Sequence, residues 1–197
     1  RKPFGTNPIV WAVPRRVDAP IVLDMAMTPV ALGKVLRARA EGTESPEAWG
    51  FLDRDGNPTV NPDVAMKGIV PAIGGYKGIG MITASNILAG ILAGSSHSGD
   101  VAVGHRGQFF LLMDPAMFRE KDSYFDDIEN MVTQIRAAGE EDSLPGQQVF
   151  LPGEIEQQTM ERHRVGGIVS YPGSVVSSLN KVGIELGVPF DCEPISS

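Results

Sequence analysis

Four glycines surround one lysine in the segment GGYKGIG, residues 74–80, which stands immediately before an apolar run. Glycine lets a backbone approach a ligand closely, a helix N terminus attracts anions, and Lys77 adds a cation. The segment matches neither the phosphate loop that ends in Gly-Lys-Ser/Thr nor the G-x-G-x-x-G dinucleotide fingerprint. These residues alone support a phosphate-binding loop and a tight helix-entry turn about equally.

Two further segments carry polar groups that can bind a ligand. Asp24 ends the apolar run PIVLDM, and a carboxylate at a strand end beside a helix N terminus is a common way to bind ribose hydroxyls. A merely local role, in which Asp24 caps nearby N–H groups, is an equal alternative. In GTNP, Thr6 and Asn7 offer hydrogen bonds, but Asn-Pro favours a structural turn.

Composition limits the classes of partner. The 197 residues are 42% apolar and 21% charged with a net charge of −7, which is typical of a globular protein and disfavours nucleic acid. Apolar runs are shorter than the roughly 18 residues of a membrane span, and no signal peptide or metal-ligand spacing is apparent. The single cysteine, Cys192, excludes an internal disulfide framework and fits the cytoplasm.

The elements that position these groups predict a mixed α/β fold with one main body. Asp55-Gly56 signals a hairpin, Thr28-Pro29 a helix start, and Gly42 and Gly187 helix ends. Ser123 and Asp126 form a predicted capping pair. Strands are predicted at 9–13, 20–25, 108–115 and 166–172, and helices at 29–40, 81–94, 123–138, 152–164 and 174–186. The helix at 81–94 is apolar on nearly every face and is predicted to be buried on all sides.

Five motifs in register resemble the malate/L-lactate dehydrogenase family, from Gly5 to about Gly187. This family includes ureidoglycolate, sulfolactate and diketogulonate enzymes and cyclic-imine carboxylate reductases, and it is distinct from the Rossmann-type lactate dehydrogenases. The motifs are GTNP, LDMA with a following GK, a hairpin with Trp and Asp-Gly, PAIGGYKGIG and LPGE.

The resemblance implies a mixed, largely antiparallel sheet flanked by helices, with a non-Rossmann NAD(P)-binding domain at 1–150 and a C-terminal helical segment at 151–197. It implies NAD or NADP as cofactor, and hydride transfer between the nicotinamide and a 2-hydroxy or 2-oxo acid or a related cyclic imine. It also implies a homodimer. The cofactor-binding residues that it implies are Pro20, Ile21, Val22, Leu23, Asp24, Met25, Ala26, Thr28, Tyr76, Lys77, Gly78, Gly153, Glu154 and Ile155.

The family's proton-donating histidine, with its neighbouring Ser and Arg, lies upstream of GTNP, and this chain has no counterpart. His97, His105 and His163 are interpreted as surface residues, so no catalytic residue is assigned. We expect the N-terminal catalytic region to be absent from this chain, whether it is cleaved or carried separately. Arg15, Arg16 and Arg106 are also interpreted as solvated charges rather than contacts to a 2′-phosphate.

Two other functions stay open. One is a non-catalytic nucleotide-binding or scaffold subunit that keeps the fold without the catalytic acid. The other is an unrelated phosphate-binding module, which rests on GGYKGIG alone and predicts a preference for a mononucleotide or a sugar phosphate.

Overall fold

A two-stranded antiparallel sheet lies at the start of the chain. The computed structural model describes residues 5–95, 107–142 and 148–188. Strand β1 (Ile9–Val13) pairs with β2 (Ile21–Met25), with Ile9 opposite Met25 and Val13 opposite Ile21. Both strands are rich in β-branched residues, which suit a pleated backbone. The prediction of both strands is confirmed.

Helices make up most of the rest of the described chain. The segment after α3 continues without a break as a π-helix, Asn86–Leu92. The helices are α1 (Leu32–Glu41), α2 (Pro62–Lys67), α3 (Tyr76–Ser85), α4 (Lys121–Asp142), α5 (Glu154–Gly166) and α6 (Gly173–Leu186). This mixture of helices with a small antiparallel sheet confirms the predicted mixed α/β class.

Helix α1 ends where the sequence predicts but begins three residues later than predicted. Gly42 adopts the left-handed conformation, with φ of 67°, and closes the helix. The predicted start at Thr28-Pro29 is wrong, because the Thr28 hydroxyl donates to the carbonyl of Val30 (2.9 Å) and forms a local turn. This hydrogen bond uses the hydroxyl that the prediction assigned to capping.

Helix α3 begins inside the glycine segment rather than after it. Gly74 and Gly75 both have φ of 63°, and Tyr76 is the first helical residue. The prediction of a helix buried on all sides is also wrong, since Ile87, Ile91 and other apolar residues of α3 and its π-helical continuation are exposed. The sequence correctly indicates an apolar helix here, but the described residues cover only one side of it.

The most deeply buried apolar cluster lies between α1, α2 and the loops that join them. Phe51 is packed among Val30, Val35 and Ala65, and Trp49 meets the Phe51 ring edge to face, with centroids 5.7 Å apart. Aromatic rings in this geometry add to the free energy gained by burial. This cluster fixes the segment that follows β2.

The predicted Asp55-Gly56 chain reversal is present as a tight turn closed by single bridges. The Asp53 carboxylate accepts hydrogen bonds from the backbone N–H groups of Asp55 and Asn57, both at 2.9 Å. Hydrogen bonds from Asn57, its backbone N–H first, hold the pKa of the Asp53 carboxyl below its usual value. Leu52 forms bridges to Pro58 and to Ile69 in place of two regular strands.

Three further predictions are corrected. Residues 108–115 and 166–172 contain no strand in the structure. Helix α4 starts at Lys121, before the predicted Ser123–Asp126 cap, because the Glu120 carboxylate accepts from the N–H groups of Asp122 and Ser123. The two predicted strands at 108–115 and 166–172 fail for a different reason: a strand needs a hydrogen-bonded neighbour, and a local apolar pattern does not provide one.

The chain divides into two compact units, Arg1–Glu154 and Ile155–Ser197. The assignment of separate roles to 1–150 and 151–197 stays a prediction. Within the second unit, α6 is closed by Gly187 at φ of 67°, as the sequence predicts. Across the described residues, every helix is too short or too polar to cross a membrane.

Candidate functional site

Strand β2 carries the first group of predicted cofactor-binding residues. Asp24 lies opposite Val10 in the antiparallel register, and its side chain is exposed. The structure records neither a hydrogen bond nor an ion pair from the Asp24 carboxylate to another described residue. The carboxylate is therefore available to accept a hydrogen bond from a ligand hydroxyl.

The second edge of β2 contacts the turn that carries Gly153. The N–H of Val22 donates to the carbonyl of Pro152 (3.0 Å). Gly153 has φ of 92°, and a Cβ built on it would lie 3.0 Å from the carbonyl oxygen of Val22. Both the positive φ and the close approach favour glycine. The structure thus brings together two predicted segments that are 130 residues apart.

Glu154 stabilises this turn through both carboxylate oxygens. One oxygen accepts from the backbone N–H of Leu151 (2.7 Å), and the other accepts from the guanidinium of Arg136 (2.6 Å). The contacts resemble a capping arrangement at the start of α5. The role of Glu154 as a polar anchor for a cofactor stays a prediction. Ile155, the next predicted residue, opens the second compact unit and is exposed.

Met27 connects the end of β2 to the other predicted segments. Its N–H donates to the carbonyl of Thr6 (2.8 Å), and its carbonyl accepts from the N–H of Ile73 (3.0 Å). The Met27 side chain is fully buried, at 0% exposure. Through this one residue, GTNP, the end of β2 and the segment before the glycines are held next to one another.

A pair of asparagines fixes GTNP against the apolar helix. Asn7 has φ of 40°, which is unusual for a residue other than glycine. The side-chain amide of Asn86 donates to the side-chain oxygen of Asn7 (3.1 Å) and to the carbonyl of Ile82 (2.8 Å). Asn86 is not among the predicted site residues, although a lone amide within an apolar helix indicates a buried hydrogen bond.

The glycine segment presents the N terminus of α3. Tyr76, Lys77 and Gly78 are its first three residues, and their N–H groups have no acceptor among the described residues. Ile79 is the first to donate within the helix, to Gly75 (3.2 Å). Three free donors at the positive end of a helix dipole form a ready site for an anion.

Position 78 requires glycine because the space around it is filled by neighbouring atoms, not because a ligand must approach it. It is buried, and a Cβ at this position would lie 1.9 Å from the carbonyl oxygen of Ile73, which leaves no room for a side chain. The Lys77 side chain is exposed, and the structure gives it no ion pair with any other described residue. Lys77 is thus free to contact a ligand phosphate.

Arg15 and Arg16 are held by carboxylates of α4. Arg15 is only 6% exposed and reaches both oxygens of Glu129 (2.6 and 3.3 Å), so the interpretation of Arg15 as a solvated charge is wrong. This hydrogen bond raises the pKa of Arg15 and lowers the pKa of Glu129 below its ordinary value of 4.5. Arg16 pairs with Asp122 and Asp126. Arg15 is therefore engaged by Glu129, whereas the Arg16 side chain remains 41% exposed beside its two carboxylate partners.

The described residues offer no group of His, Cys, Asp and Glu that could hold a metal ion. His163 is exposed on α5. His97, His105, Arg106 and Cys192 lie outside the described residues. No proton donor is therefore assigned within the part of the chain that the structure covers.

The fold and the site define a mixed α/β protein with an exposed carboxylate on an antiparallel strand. Met27, just beyond that strand, is hydrogen-bonded to Ile73 in the segment before a helix whose first three N–H groups have no acceptor among the described residues. This combination can accept an anionic ligand that also carries hydroxyl groups.

Comparison with known proteins gives the family. The sequence model described as "Malate/L-lactate dehydrogenase" matches residues 1–180. The chain is 34% identical over 193 residues to the (2R)-3-sulfolactate dehydrogenase (NADP(+)) of Chromohalobacter salexigens, covering 92% of this chain and 53% of that protein. It is 31% identical over 174 residues to the ureidoglycolate dehydrogenase (NAD(+)) of Escherichia coli, covering 84% and 48% respectively.

A solved structure agrees with these matches. Malate dehydrogenase from Pyrococcus horikoshii superposes with a TM-score of 0.76 at 28% identity, covering 94% of this chain and 52% of that one. The chain belongs to the malate/L-lactate dehydrogenase family, as the motifs indicate. It spans about half the length of the relatives that it matches.

Proposed function

We propose that this chain supplies the NAD(P)-binding part of an oxidoreductase. The reaction would transfer hydride between a nicotinamide cofactor and a 2-hydroxy or 2-oxo acid, or a related cyclic imine. The observation that carries the proposal is the N terminus of α3, where Lys77 and three N–H groups without acceptors among the described residues lie together. The segment before this helix is hydrogen-bonded to Met27, which follows β2. The family match and the NAD- and NADP-dependent relatives support the same conclusion.

The residues present fit a dinucleotide. A Cβ built on Gly74, Gly75 or Gly80 would meet nothing within 4 Å, so the surface around the free donors is open. The protein as a whole carries a charge of −7, and binding of an anion therefore depends on such local donors. Lys77 and the N–H groups would neutralise phosphate charge. The exposed carboxylate of Asp24 would accept a hydrogen bond from a ribose hydroxyl.

In the mechanism, the nicotinamide supplies or accepts the hydride when it is bound. The residues of this chain bind and orient: β2 and the Gly153 turn form one wall, and the first turn of α3 holds the negative charge. The proton that accompanies hydride transfer needs a separate acid. We propose that this acid belongs to the family's N-terminal region rather than to the described residues.

The proposal includes the partners and location that the family resemblance implies. The functional unit would be a homodimer in the cytoplasm, acting on a small-molecule substrate and completed by the N-terminal region, with no nucleic acid or membrane partner. The relatives, which are about twice as long, support the need for a further region.

The test is a fluorescence titration of residues 1–197 with NADH and NADPH, alongside ATP and glucose 6-phosphate. We expect weak binding of one or both dinucleotides and no turnover of malate or sulfolactate. A preference for ATP or the sugar phosphate would favour an unrelated phosphate-binding module. The absence of any nucleotide binding would favour a scaffold subunit. Robust turnover by the chain alone would show that the acid lies within it.

A further inference from the structure

The Gly153 turn, residues 151–154, is joined to α4 by one side chain. The guanidinium of Arg136 donates to one carboxylate oxygen of Glu154 (2.6 Å), and the other oxygen accepts from the backbone N–H of Leu151 (2.7 Å). The N–H of Glu154 donates in turn to the carbonyl of Leu151 (3.1 Å). The Glu154 carboxylate therefore connects α4 to the backbone of the turn.

The same turn lies against the edge of β2. The carbonyl of Pro152 accepts from the N–H of Val22 (3.0 Å). A Cβ built on Gly153 would lie 3.0 Å from the carbonyl oxygen of Val22 and 3.3 Å from its nitrogen. The turn and the strand are thus packed backbone to backbone, and Asp24 lies two residues further along β2.

Helix α4 also contacts the turn between β1 and β2. Glu129 accepts from Arg15 in that turn (2.6 Å). The hydrogen bond with Glu129 is the main reason that the pKa of Arg15 is raised, and the charge of Glu154 adds to the same shift. Glu129 and Arg136 are about two helical turns apart, so their side chains leave α4 on the same side. One side of α4 thus holds both turns that border β2.

Arg136 differs from Arg15 in having one task. Its side chain contacts the Glu154 carboxylate and makes no other hydrogen bond or ion pair with a described residue. It is 48% exposed, whereas Arg15 is 6% exposed and meets both Glu129 and Asp18. Removing the Arg136 cation should therefore act on Glu154 and the Gly153 turn and on little else.

We propose that Arg136 is a positioning residue for dinucleotide binding, acting through Glu154 to hold the Gly153 turn against β2. This inference rests on the proposed function, because it takes the turn and β2 as one wall of the dinucleotide site. Arg136 need not touch the cofactor in this role. Without its cation, Glu154 loses the partner that orients its carboxylate toward the Leu151 N–H, and the wall becomes less ordered.

Amide exchange measured by NMR on residues 1–197 without nucleotide tests the first step. Arg136→Met keeps the apolar stem but removes the charge and the donors. We expect the amides of Leu151 and Val22 to exchange about 3- to 10-fold faster in this variant, between the small effect of an exposed ion pair and the larger effect of a hydrogen bond to a charged group. Arg136→Lys keeps a cation and a donor, so it should restore most of the protection.

Fluorescence titration with NADH and NADPH tests the second step. Arg136→Met should raise the dissociation constant by a similar factor of about 3 to 10, and Arg136→Lys should stay close to the parent. Arg119→Met is the matched control, because Arg119 is 46% exposed and pairs with one carboxylate on α4, that of Asp127 (2.7 Å). This control should change neither the exchange at Leu151 nor the affinity.

A double substitution tests whether Arg136 acts through Glu154. In a Glu154→Gln background the carboxylate that Arg136 orients is already gone. Adding Arg136→Met should then change neither the amide exchange nor the dissociation constant further, because two residues that act as one unit are not additive.

Four outcomes would overturn the inference. They are unchanged exchange in Arg136→Met, faster exchange with unchanged nucleotide affinity, equal losses in Arg119→Met, and a full additional loss in the Glu154→Gln background. Failure of the parent chain to bind either dinucleotide would instead refute the proposed function. The exchange readout needs no nucleotide, so it would still decide whether Arg136 holds the Gly153 turn.

Discussion

Replacing Lys77 with alanine removes one exposed positive charge from the first turn of α3. The side chain has no ion pair with another described residue, and it is exposed. The substitution therefore breaks no contact that the described fold depends on. Alanine also has the highest helix propensity. Any effect on ligand binding should accordingly come from the lost charge.

The size of the effect follows from the exposure of the site. Two unit charges 4 Å apart attract by about 1 kcal/mol in water and by about 4 kcal/mol at an effective dielectric constant of 20. An exposed lysine lies toward the lower figure. A loss of about 1 to 2 kcal/mol corresponds to a dissociation constant raised about 5- to 30-fold. The free energy of unfolding should change by less than about 0.5 kcal/mol.

The assay is NADH and NADPH fluorescence titration at about 20 mM and about 300 mM salt, together with urea unfolding. Because salt screens exposed charges over a Debye length of roughly 10 Å at 0.1 M, the difference between the variant and the parent should narrow at high salt. Lys67→Ala is the control, since Lys67 is an exposed lysine at the end of α2. The affinity of the Lys67→Ala variant for NADH and NADPH should match that of the parent chain.

Two results would refute this reasoning. Equal affinity of Lys77→Ala and the parent at low salt would remove Lys77 from the site. An equal loss of affinity in Lys67→Ala would show that general charge, rather than the position of Lys77, controls binding.

Other predictions concern packing and pH. Gly78→Ala should lower both the affinity for the dinucleotide and the free energy of unfolding, because its Cβ would lie 1.9 Å from a backbone carbonyl oxygen. Gly80→Ala should change neither quantity, because its Cβ would meet nothing within 4 Å. Fluorescence titration and urea unfolding measure the two quantities for both variants. Met27→Ala should cost about 2 to 5 kcal/mol in urea unfolding, against under about 0.5 kcal/mol for the exposed Met117→Ala. The arginine partner holds the pKa of Glu129 below 4.5, so this pair stabilises the fold above about pH 4.5 and weakens as pH falls through the lowered pKa. Glu129→Gln should flatten that acid limb in pH-dependent unfolding.

Local patterns predict the elements that depend on local chemistry. The strands at 9–13 and 20–25 follow from β-branched residues, and Gly42 and Gly187 end their helices through left-handed backbone conformations. These features need few distant contacts, so the sequence around them is sufficient. The antiparallel register of the two strands was not predicted, because it depends on which residues lie opposite one another.

Patterns fail where a distant contact decides. Asn86 and Asn7 are 79 residues apart, and their hydrogen bond holds GTNP in place. Residues 108–113 have the composition of a strand but lack a neighbour in the described chain. In each case the missing information is a tertiary contact.

The two interpretations of GGYKGIG do not exclude each other. Gly74 and Gly75, both with positive φ, precede the first helical residue, and the N–H groups of the first three helical residues have no acceptor in the part of the chain that the structure describes. A helix-entry turn is thus compatible with the proposed anion site, because the turn leaves these donors available to a ligand. In the proposed site the two residues have different roles: Gly78 serves packing, and Lys77 would contact the ligand. Gly78→Ala should therefore change stability and affinity together, whereas Lys77→Ala should change affinity alone.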